Sequence, residues 1–437
     1  MKYYCIGIKG AGMSTLAQIL YDLGNEVIGY DDAVDYKFTE EGLRKRNIPI
    51  YHSEVKLDSD TIVTYSAAFS TDHKEIKRVK EMGLKIKKYH DILGDLTRMF
   101  TSICVSGTHG KTTTSTLISH ILGNTLGCNY FIGDGTGFAS KKNDLFVIES
   151  CEYNRHFLAY QPAYTIITNI ELEHTEVYKD IDEIIDTFKT FANKSTNEVI
   201  ACGDDSNIRK LKLDKKITYY GFNDDNDVIA KNIKLSSNGS KFDLIVKNEF
   251  IGSFDLPLFG RHMVLNTLAC ITVCLKLGIK PDTIQQLLKT FKNAKRRFHE
   301  EILDDVIIID DYAHHPTEIE VTLKSCLQKY PDKKLVAVFK PNTYSRTKDF
   351  YKEFADALNI ADFQFLTEID CNREKQEDYP NVSSKLIFDG LKNGHMISDD
   401  TTDKLLKFKN SVIVFMSCAS ISHLIDNYKN KKTKINS

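Results

Sequence analysis

Apolar and polar positions alternate between two periods along the first part of the chain. Short apolar runs such as Tyr3–Ile8 and Glu26–Tyr30 predict strands, and apolar positions three and four residues apart over Met13–Leu23 predict a helix. The alternation continues through a strand at Thr61–Tyr65 and a helix at His73–Met82. Strands that alternate with helices are typical of a parallel sheet covered by helices on both faces. We therefore predict a doubly wound α/β unit at the start of the chain.

Two further α/β units follow the first. The second opens with a predicted strand at Ser102–Val105 and a predicted helix at Lys111–Leu122. Within it, alternating strand patterns with an Asn-Gly pair at 238–239 predict an antiparallel hairpin insert. The third repeats the strand–helix order and contains a polar stretch, Asp370–Asn381, that predicts a loop. The polar residues 430–437, with three lysines, predict a frayed tail.

Composition and charge narrow the functions that fit. Of the 437 residues, 42% are hydrophobic and 27% are charged, which is typical of a globular protein. The net charge of −2 provides no broad basic surface for nucleic acid or for an anionic membrane. Ten cysteines without a C-x-x-C pair fit a reducing cytosol, and no apolar run approaches the ~20 residues of a membrane span. We expect a cytoplasmic protein with no nucleic-acid or membrane partner, in which phosphate binding depends on a local site.

The strongest motif runs from Val105 to Thr114 and reads Val-Ser-Gly-Thr-His-Gly-Lys-Thr-Thr-Thr. It joins a predicted strand to a predicted helix, so backbone N–H groups of the turn can cradle a polyphosphate. Lys111 can reach the β- and γ-phosphates, and the Thr112 hydroxyl can ligate Mg²⁺. The strict phosphate-loop pattern is not met, because its first glycine is replaced by valine. The shorter Gly-x-x-Gly-Lys-Thr pattern still predicts a site for ATP and Mg²⁺.

A second glycine-rich motif, Gly7–Ser14, directly follows the first predicted strand. It is similar to a dinucleotide fingerprint, but Thr15 stands in place of the third glycine. The glycines would let the backbone approach a diphosphate at the start of the next helix. Asp31, nineteen residues after Gly12, can bond a ribose or a uracil group. A tight turn without a ligand explains this motif as well.

Polar residues stand where several predicted strands end. Glu149 ends one strand of the second unit and His174 follows another, and ligands bind beyond the carboxyl ends of parallel strands. With Thr112, these two residues form a candidate Mg²⁺ set. In the third unit, His314 and His315 follow a predicted strand and can serve recognition or proton handling.

Arg346 follows the next predicted strand of the third unit and can clamp a carboxylate through two hydrogen bonds. Each of these two assignments has an alternative. The segment that holds His314 and His315 could serve only helix capping, by Asp310 and Asp311, and Arg346 could be a solvated arginine.

In this order, the motifs resemble the Mur ligase family over essentially the whole chain. The residues that carry the resemblance are Gly7–Ser14, Ser106–Thr114, Glu149 with Glu152, Thr168–His174, Gly260–His262 with Asn266, Lys295–Phe298, Asp310–Glu318 and Pro341–Thr347. Gly7–Ser14 and Asp310–Glu318 resemble the alanine-adding branch in particular. The resemblance implies a Rossmann-like UDP-sugar-binding domain over 1–98, an ATP-binding P-loop domain with an antiparallel insert over 99–298, and a Rossmann-like amino-acid-binding domain over 299–437.

The resemblance also implies an activity. The expected enzyme uses ATP and Mg²⁺ to join L-alanine to the lactoyl carboxylate of UDP-N-acetylmuramate through an acyl phosphate, in peptidoglycan precursor synthesis, as a monomer or a homodimer. The implied catalytic residues are Lys111, Arg346, His314 and His315. The implied ATP contacts are Gly107, Thr108, His109, Gly110, Lys111, Thr112, Thr113, His262, Asn266, Arg297 and Asp311. The implied contacts with the UDP substrate are Gly10, Ala11, Gly12, Met13, Ser14, Asp31, His109, Glu152 and Arg155. The implied metal ligands are Thr112, Glu149 and His174.

Some positions depart from the family pattern. Met263 stands where an asparagine is usual after His262, and Glu173 replaces the usual aspartate before His174. Thr343 stands where many members carry arginine, and Phe415–Ile421 replaces a glycine-rich acidic turn. Two alternatives therefore stay open. One is another ligase of the same fold, either folylpolyglutamate synthase, which lacks a UDP-type N-terminal domain, or a murein peptide ligase. The other is a degenerate, non-catalytic nucleotide-binding homologue.

Overall fold

Three β-sheets organise the chain in the computed structural model, which describes residues 1–371 and 374–436. Contacts between residues divide the chain into two compact units. The first holds Met1–Lys231, Leu244–Gly252 and Leu265–Phe291. The second holds Asn232–Asp243, Ser253–Val264 and the chain from Lys292 onward. The predicted fold class, a mixed α/β chain built on several parallel sheets, is confirmed.

The first sheet has five parallel strands in the order β3-β2-β1-β4-β5. The strands are β1 (Lys2–Ile6), β2 (Glu26–Tyr30), β3 (Ile50–Tyr51), β4 (Ile62–Tyr65) and β5 (Lys85–Ile86). The helices are α1 (Ala11–Asp22), α2 (Glu40–Arg44), α3 (Lys74–Glu81) and α4 (Tyr89–Met99). Buried residues from three strands and α3, including Tyr4, Tyr30, Val63 and Ile76, pack together. Helix α4, which the sequence pattern did not predict, leads to the second sheet.

The second sheet has ten strands in the order β15-β14-β13-β12-β11-β10-β6-β9-β7-β8. The strands are β6 (Thr101–Ser106), β7 (Cys128–Ile132), β8 (Thr136–Phe138), β9 (Leu145–Glu149), β10 (Tyr164–Ile167), β11 (Glu198–Cys202), β12 (Ile217–Gly221), β13 (Val228–Ser236), β14 (Gly239–Val246) and β15 (Glu249–Leu256). The helices are α5 (Lys111–Gly123), α6 (Ile181–Ala192), α7 (Ser206–Arg209), α8 (Arg261–Lys276) and α9 (Pro281–Leu288). Its centre is parallel, and β13–β15 form the predicted insert, with Asn238 at the first turn.

The third sheet has six strands in the order β16-β17-β21-β18-β19-β20, of which β16 alone pairs antiparallel. The strands are β16 (His299–Leu303), β17 (Val306–Asp311), β18 (Lys334–Phe339), β19 (Phe363–Leu366), β20 (Gly394–Met396) and β21 (Ser411–Met416). The helices are α10 (Pro316–Lys329), α11 (Tyr344–Leu358), α12 (Lys385–Phe388) and α13 (Ser422–Asn436). Alternate residues of β17, β18 and β21 point into two cores, one on each face of the sheet.

The predicted tail is wrong up to residue 436, because α13 continues through it. Tyr428 is fully buried in the core, and the buried Lys432 pairs with the exposed Asp305 at 2.9 Å. Ser437 lies outside the described residues. So do residues 372 and 373 of the predicted loop at Asp370–Asn381, which also holds a short 3-10 turn at Gln376–Asp378. In the described part of the chain, no helix combines the length and the apolar character needed to cross a membrane.

The buried tyrosine of α13 provides a test of this tail. Within the described residues, no partner reaches the Tyr428 hydroxyl, and an unsatisfied buried hydroxyl costs about 1–3 kcal/mol. Tyr428→Phe is therefore expected to leave the free energy of unfolding unchanged or to raise it by about 1 kcal/mol. Tyr428→Ala is expected to lower it by about 3–5 kcal/mol through loss of core packing. Urea titration of both variants measures this, and a neutral Tyr428→Ala would mean that the helix does not dock.

Candidate active site

The turn between β6 and α5 forms the centre of the candidate site. Helix α5 begins at Lys111, as predicted, directly after Gly110, which adopts a left-handed conformation with φ of 82°. A Cβ at Gly110 would also lie 2.6 Å from Asn266 Oδ1, so glycine is needed here both for the backbone and for space. The turn is fixed from the neighbouring strand end, because Asn169 accepts the His109 N–H and donates to the His109 carbonyl. Asn266, an implied ATP contact, thus packs directly on the phosphate-binding turn.

The Lys111 ammonium lies over this turn. It donates to the carbonyls of Gly107 and Thr108, and it pairs with both Glu152 carboxylate oxygens at 3.1 and 3.2 Å. Burial alone would lower the pKa of Lys111, but nearby negative charge, mainly from Glu152 and also from Glu149 and Glu173, raises it. The ammonium therefore stays charged at any pH at which the protein would be assayed.

Two groups of candidate metal ligands flank Lys111. In the first, Thr112 Oγ1 donates to Glu149 Oε1 at 3.0 Å, and Glu149 Oε2 accepts the Gly133 N–H at 2.8 Å. In the second, Glu152, Glu173 and His174 each offer a ligand atom, and these atoms lie within 4.8 Å of one another. Hydroxyl and carboxylate oxygens suit Mg²⁺, and an imidazole nitrogen is also a common ligand for divalent ions such as Mn²⁺ and Zn²⁺. The residues therefore fit divalent cations.

The sequence pattern predicts Thr112, Glu149 and His174 as ligands of one Mg²⁺ site. In the structure, Thr112 is hydrogen-bonded to Glu149, whereas His174 lies with the carboxylates of Glu152 and Glu173. The sequence pattern did not indicate Glu152 and Glu173 as candidate metal ligands. The available signal was two short motifs at strand ends, Glu-x-x-Glu at 149–152 and Glu-x-Glu-His at 171–174.

The second metal-ligand group can be tested by binding alone. Glu173→Gln is expected to weaken Mn²⁺ binding by about tenfold or more, because it replaces a charged ligand with a neutral one. Titration followed by electron paramagnetic resonance measures the affinity without turnover. Asp182→Asn, which changes an exposed acid on α6, is the matched control. Equal affinity in both variants would remove Glu173 from the cation site.

The second glycine-rich turn connects β1 to α1, and α1 begins directly after Gly10. A Cβ at Gly12 would overlap the Tyr89 hydroxyl, so this glycine allows α4 to pack on α1. The side chains of Met13 and Ser14 are buried, which leaves the backbone of α1 to face a ligand. The Asp31 carboxylate, 5% exposed, accepts the backbone N–H groups of Lys9 and Ala33. It thereby fixes this turn, and its predicted bond to a ribose or uracil stays a prediction.

Arg155, an implied contact with the UDP substrate, is held by two neighbours. Its guanidinium pairs with Glu183 and lies over the Tyr178 ring, 5.0 Å from the centroid. Its backbone is left-handed with φ of 56°, as is that of Asn154 with φ of 49°. Because Tyr178 donates to the Glu152 carbonyl, this strained turn fixes the carboxylate that faces Lys111.

The remaining predicted residues lie in the second unit. Asp311 is buried and accepts the Phe298 and Ala313 N–H groups, and burial raises its pKa although Arg297 opposes the shift. Burial lowers the pKa of His262 to about 4, so its imidazole is neutral at pH 7. Arg297 lies 4.9 Å from the centre of the Tyr312 ring.

The two predicted histidines have different surroundings. His314 Nδ1 lies 3.0 Å from both the Tyr312 carbonyl and a Glu318 carboxylate oxygen. His315 is 5% exposed, caps α10 by accepting the Thr317 N–H at 3.4 Å, and packs edge-on against Phe350. Arg346 lies in the first turn of α11, with Thr343 Oγ1 at 3.5 Å. His314 is the more exposed of the two histidines.

Comparison with known proteins identifies the family of the chain. The Mur ligase family catalytic domain matches residues 2–101, the Mur ligase middle domain matches 105–274, and the Mur ligase glutamate ligase domain matches 296–416. The chain therefore belongs to the Mur ligase family, a family of ATP-dependent amide ligases.

Three solved structures of Mur ligases illustrate the similarity. A UDP-N-acetylmuramate-alanine ligase from Thermotoga maritima is 26% identical over 100% of both chains, with a TM-score of 0.82. A murein peptide ligase from Psychrobacter arcticus is 22% identical over 98% of this chain and 99% of that one, with a TM-score of 0.74. A MurF ligase from Thermotoga maritima, solved with ADP, is 17% identical over 95% and 97%, with a TM-score of 0.66. The last two likenesses show the fold alone.

Proposed function

We propose that this chain is a UDP-N-acetylmuramate–L-alanine ligase, with domains 1–98, 99–298 and 299–437 that bind the UDP sugar, ATP and the amino acid. The observation that carries the proposal is the charged Lys111 held over a glycine turn and flanked by two groups of cation ligands. Full-length similarity to an alanine-adding enzyme and the alanine-branch motifs Gly7–Ser14 and Asp310–Glu318 support the choice of substrates.

In this proposal, ATP lies with its phosphates on the turn that precedes α5. Thr112 and Glu149, with Glu152, Glu173 and His174, would hold divalent cations, which supply positive charge to the phosphate oxygens when bound. Lys111 neutralises charge on the transferred phosphoryl group. The lactoyl carboxylate attacks the γ-phosphorus, ADP leaves, and an acyl phosphate forms. His262 and Asn266 would lie near the adenine, Asp311 would bind the ribose, and Arg297 would approach the γ-phosphate.

The amide bond forms in a second step. The neutral amine of alanine attacks the acyl carbon, phosphate leaves, and the nitrogen loses a proton. Arg346 would hold the alanine carboxylate and so fix the distance and rotation of the amine. His314 would help to order the same pocket.

A phosphate-release assay with a panel of acceptors tests the proposal. With ATP, Mg²⁺ and UDP-N-acetylmuramate, we expect L-alanine to give the highest kcat/KM, with glycine and L-serine as close competitors. Release with the tripeptide L-alanyl-γ-D-glutamyl-meso-diaminopimelate but not with L-alanine would identify a murein peptide ligase instead. A folded preparation that binds ATP and releases no phosphate with any acceptor would favour the non-catalytic alternative.

A further inference from the structure

Lys9 in the Gly7–Ser14 turn has no role in the function proposed above. A lysine in a glycine-rich turn between a strand and a helix is an obvious candidate to bind phosphate. Its side chain, however, is 2% exposed. The ammonium donates to the carbonyls of Val34 at 3.1 Å and Asp35 at 3.0 Å, and it pairs with Glu40 Oε1 at 2.9 Å. Because an ammonium has three N–H donors, these contacts use all of them.

Glu40, the acceptor in this ion pair, is also buried. The Glu40 side chain is 3% exposed, and besides Lys9 it accepts the backbone N–H of Lys37 at 2.9 Å and a guanidinium N–H of Arg44 at 3.1 Å. Burial alone would raise the pKa of Glu40, but these hydrogen bonds lower it. A buried pair of this kind adds little stability compared with apolar residues of the same size, whereas its directed contacts fix the position of the segments that it joins.

The pair holds a segment without regular secondary structure, residues 32–39, against the glycine-rich turn. Thr39 supports the same arrangement, since its hydroxyl donates to the Lys9 carbonyl and its carbonyl accepts the Ser14 hydroxyl, both at 2.6 Å. The segment nevertheless presents three large apolar side chains to solvent: Val34 is 72% exposed, Tyr36 57% and Phe38 44%. Three exposed apolar side chains on a segment held by buried contacts make it a candidate binding surface.

We propose that Lys9 and Glu40 are positioning residues that hold segment 32–39 beside the glycine-rich turn, where its aromatic side chains contact the nucleotide end of the UDP substrate. Lys9 itself makes no contact with the diphosphate. This inference rests on the proposed function and adds to it the residues that shape the nucleotide site. Aromatic side chains stack on any base, and the fixed segment removes the entropic cost of ordering them on binding.

Neutral replacements distinguish positioning from direct phosphate binding. Lys9→Met and Glu40→Gln are each expected to raise the KM and the calorimetric Kd for UDP-N-acetylmuramate by about tenfold, because two or three interface side chains must then be ordered on binding. The KM for ATP and kcat are expected to stay within about twofold, because ATP binds on another sheet. If Lys9 instead bound the diphosphate, Glu40→Gln would free the ammonium and leave the affinity unchanged or increase it.

Two further variants keep the test decisive. Either single variant could fail to fold, because it leaves one charge buried without its partner. The double variant Lys9→Met/Glu40→Gln removes both charges and is expected to fold and to show the same rise in the KM for UDP-N-acetylmuramate. Arg78→Met, on helix α3 beside the same sheet, is the matched control, since it breaks the ion pair of Arg78 with Glu75, a carboxylate that is 2% exposed. Its KM for UDP-N-acetylmuramate is expected to equal that of the wild type.

Failure of this role can be told apart from failure of the proposed function. A wild-type protein that neither binds nor consumes UDP-N-acetylmuramate would overturn both. A wild-type protein that binds it, with a folded double variant that binds it equally well, would overturn the positioning role alone. So would a rise in KM of the same size in the Arg78→Met control.

Discussion

Replacing Lys111 by alanine is expected to lower kcat by about 10³-fold or more, because the ammonium acts where charge accumulates on the transferred phosphoryl group. Steady-state phosphate release measures this loss. Binding of UDP-N-acetylmuramate, followed by calorimetry, is expected to be unchanged. The two turns belong to different sheets, since one lies between β1 and α1 and the other between β6 and α5.

The ion pair of Lys111 with Glu152 complicates this experiment. Removing the ammonium leaves a carboxylate that is 3% exposed without its cation, which costs about 3–5 kcal/mol when such a pair is broken. Lys111→Arg keeps the positive charge and is expected to fold, yet to lose about 100-fold in kcat because the planar guanidinium does not place a point charge on the phosphate. Lys194→Met, a lysine that contacts the Leu158 carbonyl in the same unit, is the control and should retain kcat.

Three results would be informative here. A Lys111→Ala variant with a normal Tm and near-normal kcat would remove Lys111 from the catalytic role. Loss of UDP-N-acetylmuramate binding as well would indicate misfolding or a wrong assignment of the two sites. Equal losses in Lys111→Ala and Lys194→Met would show that the effect is not specific to the turn.

The elements that sequence predicted best have strong local signals. The apolar spacing over Ile181–Ala192 predicts a helix with the observed bounds, and Asp180 caps this helix by accepting the Glu183 N–H. Pro316 favours the start of α10 for a different reason: its fixed φ and missing N–H suit the first position of a helix. Helix α4 was missed because Lys88 provides no side-chain cap, and the helix depends on tertiary packing of residues such as Leu93. The tail was predicted as frayed because the apolar residues that anchor α13 precede its lysine-rich turns.

The positions of site residues at strand ends could be predicted from the sequence, and those of site residues in loops could be predicted less well. Glu149 ends β9, so its position beside Thr112 follows from the topology of a parallel sheet. Glu152 and His174 come together through left-handed turns at Asn154, Arg155 and His174 itself, where φ is 49°, 56° and 56°. Such conformations have a weak sequence signature outside glycine. The motifs at 149–152 and 171–174 therefore mark the candidate cation ligands of the second group, but the backbone turns that bring them together leave no sequence signal.

The second large effect is expected at Arg346. Besides its amine, alanine has one charged group that a protein can bind, its carboxylate. A guanidinium binds a carboxylate through two parallel hydrogen bonds. A lysine in its place supplies charge without fixing rotation. We therefore expect Arg346→Lys to raise the KM for L-alanine by about 10- to 100-fold, the value of a charged hydrogen bond. Steady-state kinetics with L-alanine as the varied substrate measure this change.

Formation of the acyl phosphate should be spared in this variant, because that step precedes the attack by alanine. Positional isotope exchange in ATP, or trapping with borohydride, reports that step independently of the amino acid. Lys348→Met, on the exposed face of the same helix, is the matched control and should leave the KM for L-alanine unchanged. An unchanged KM in Arg346→Lys, or loss of the trapped intermediate with alanine binding intact, would assign the carboxylate to another residue. The resemblance places an arginine at the position of Thr343 in many members of the family. Under the proposed function, Arg346 would hold the carboxylate without that second guanidinium, so its replacement is expected to raise the KM for L-alanine strongly.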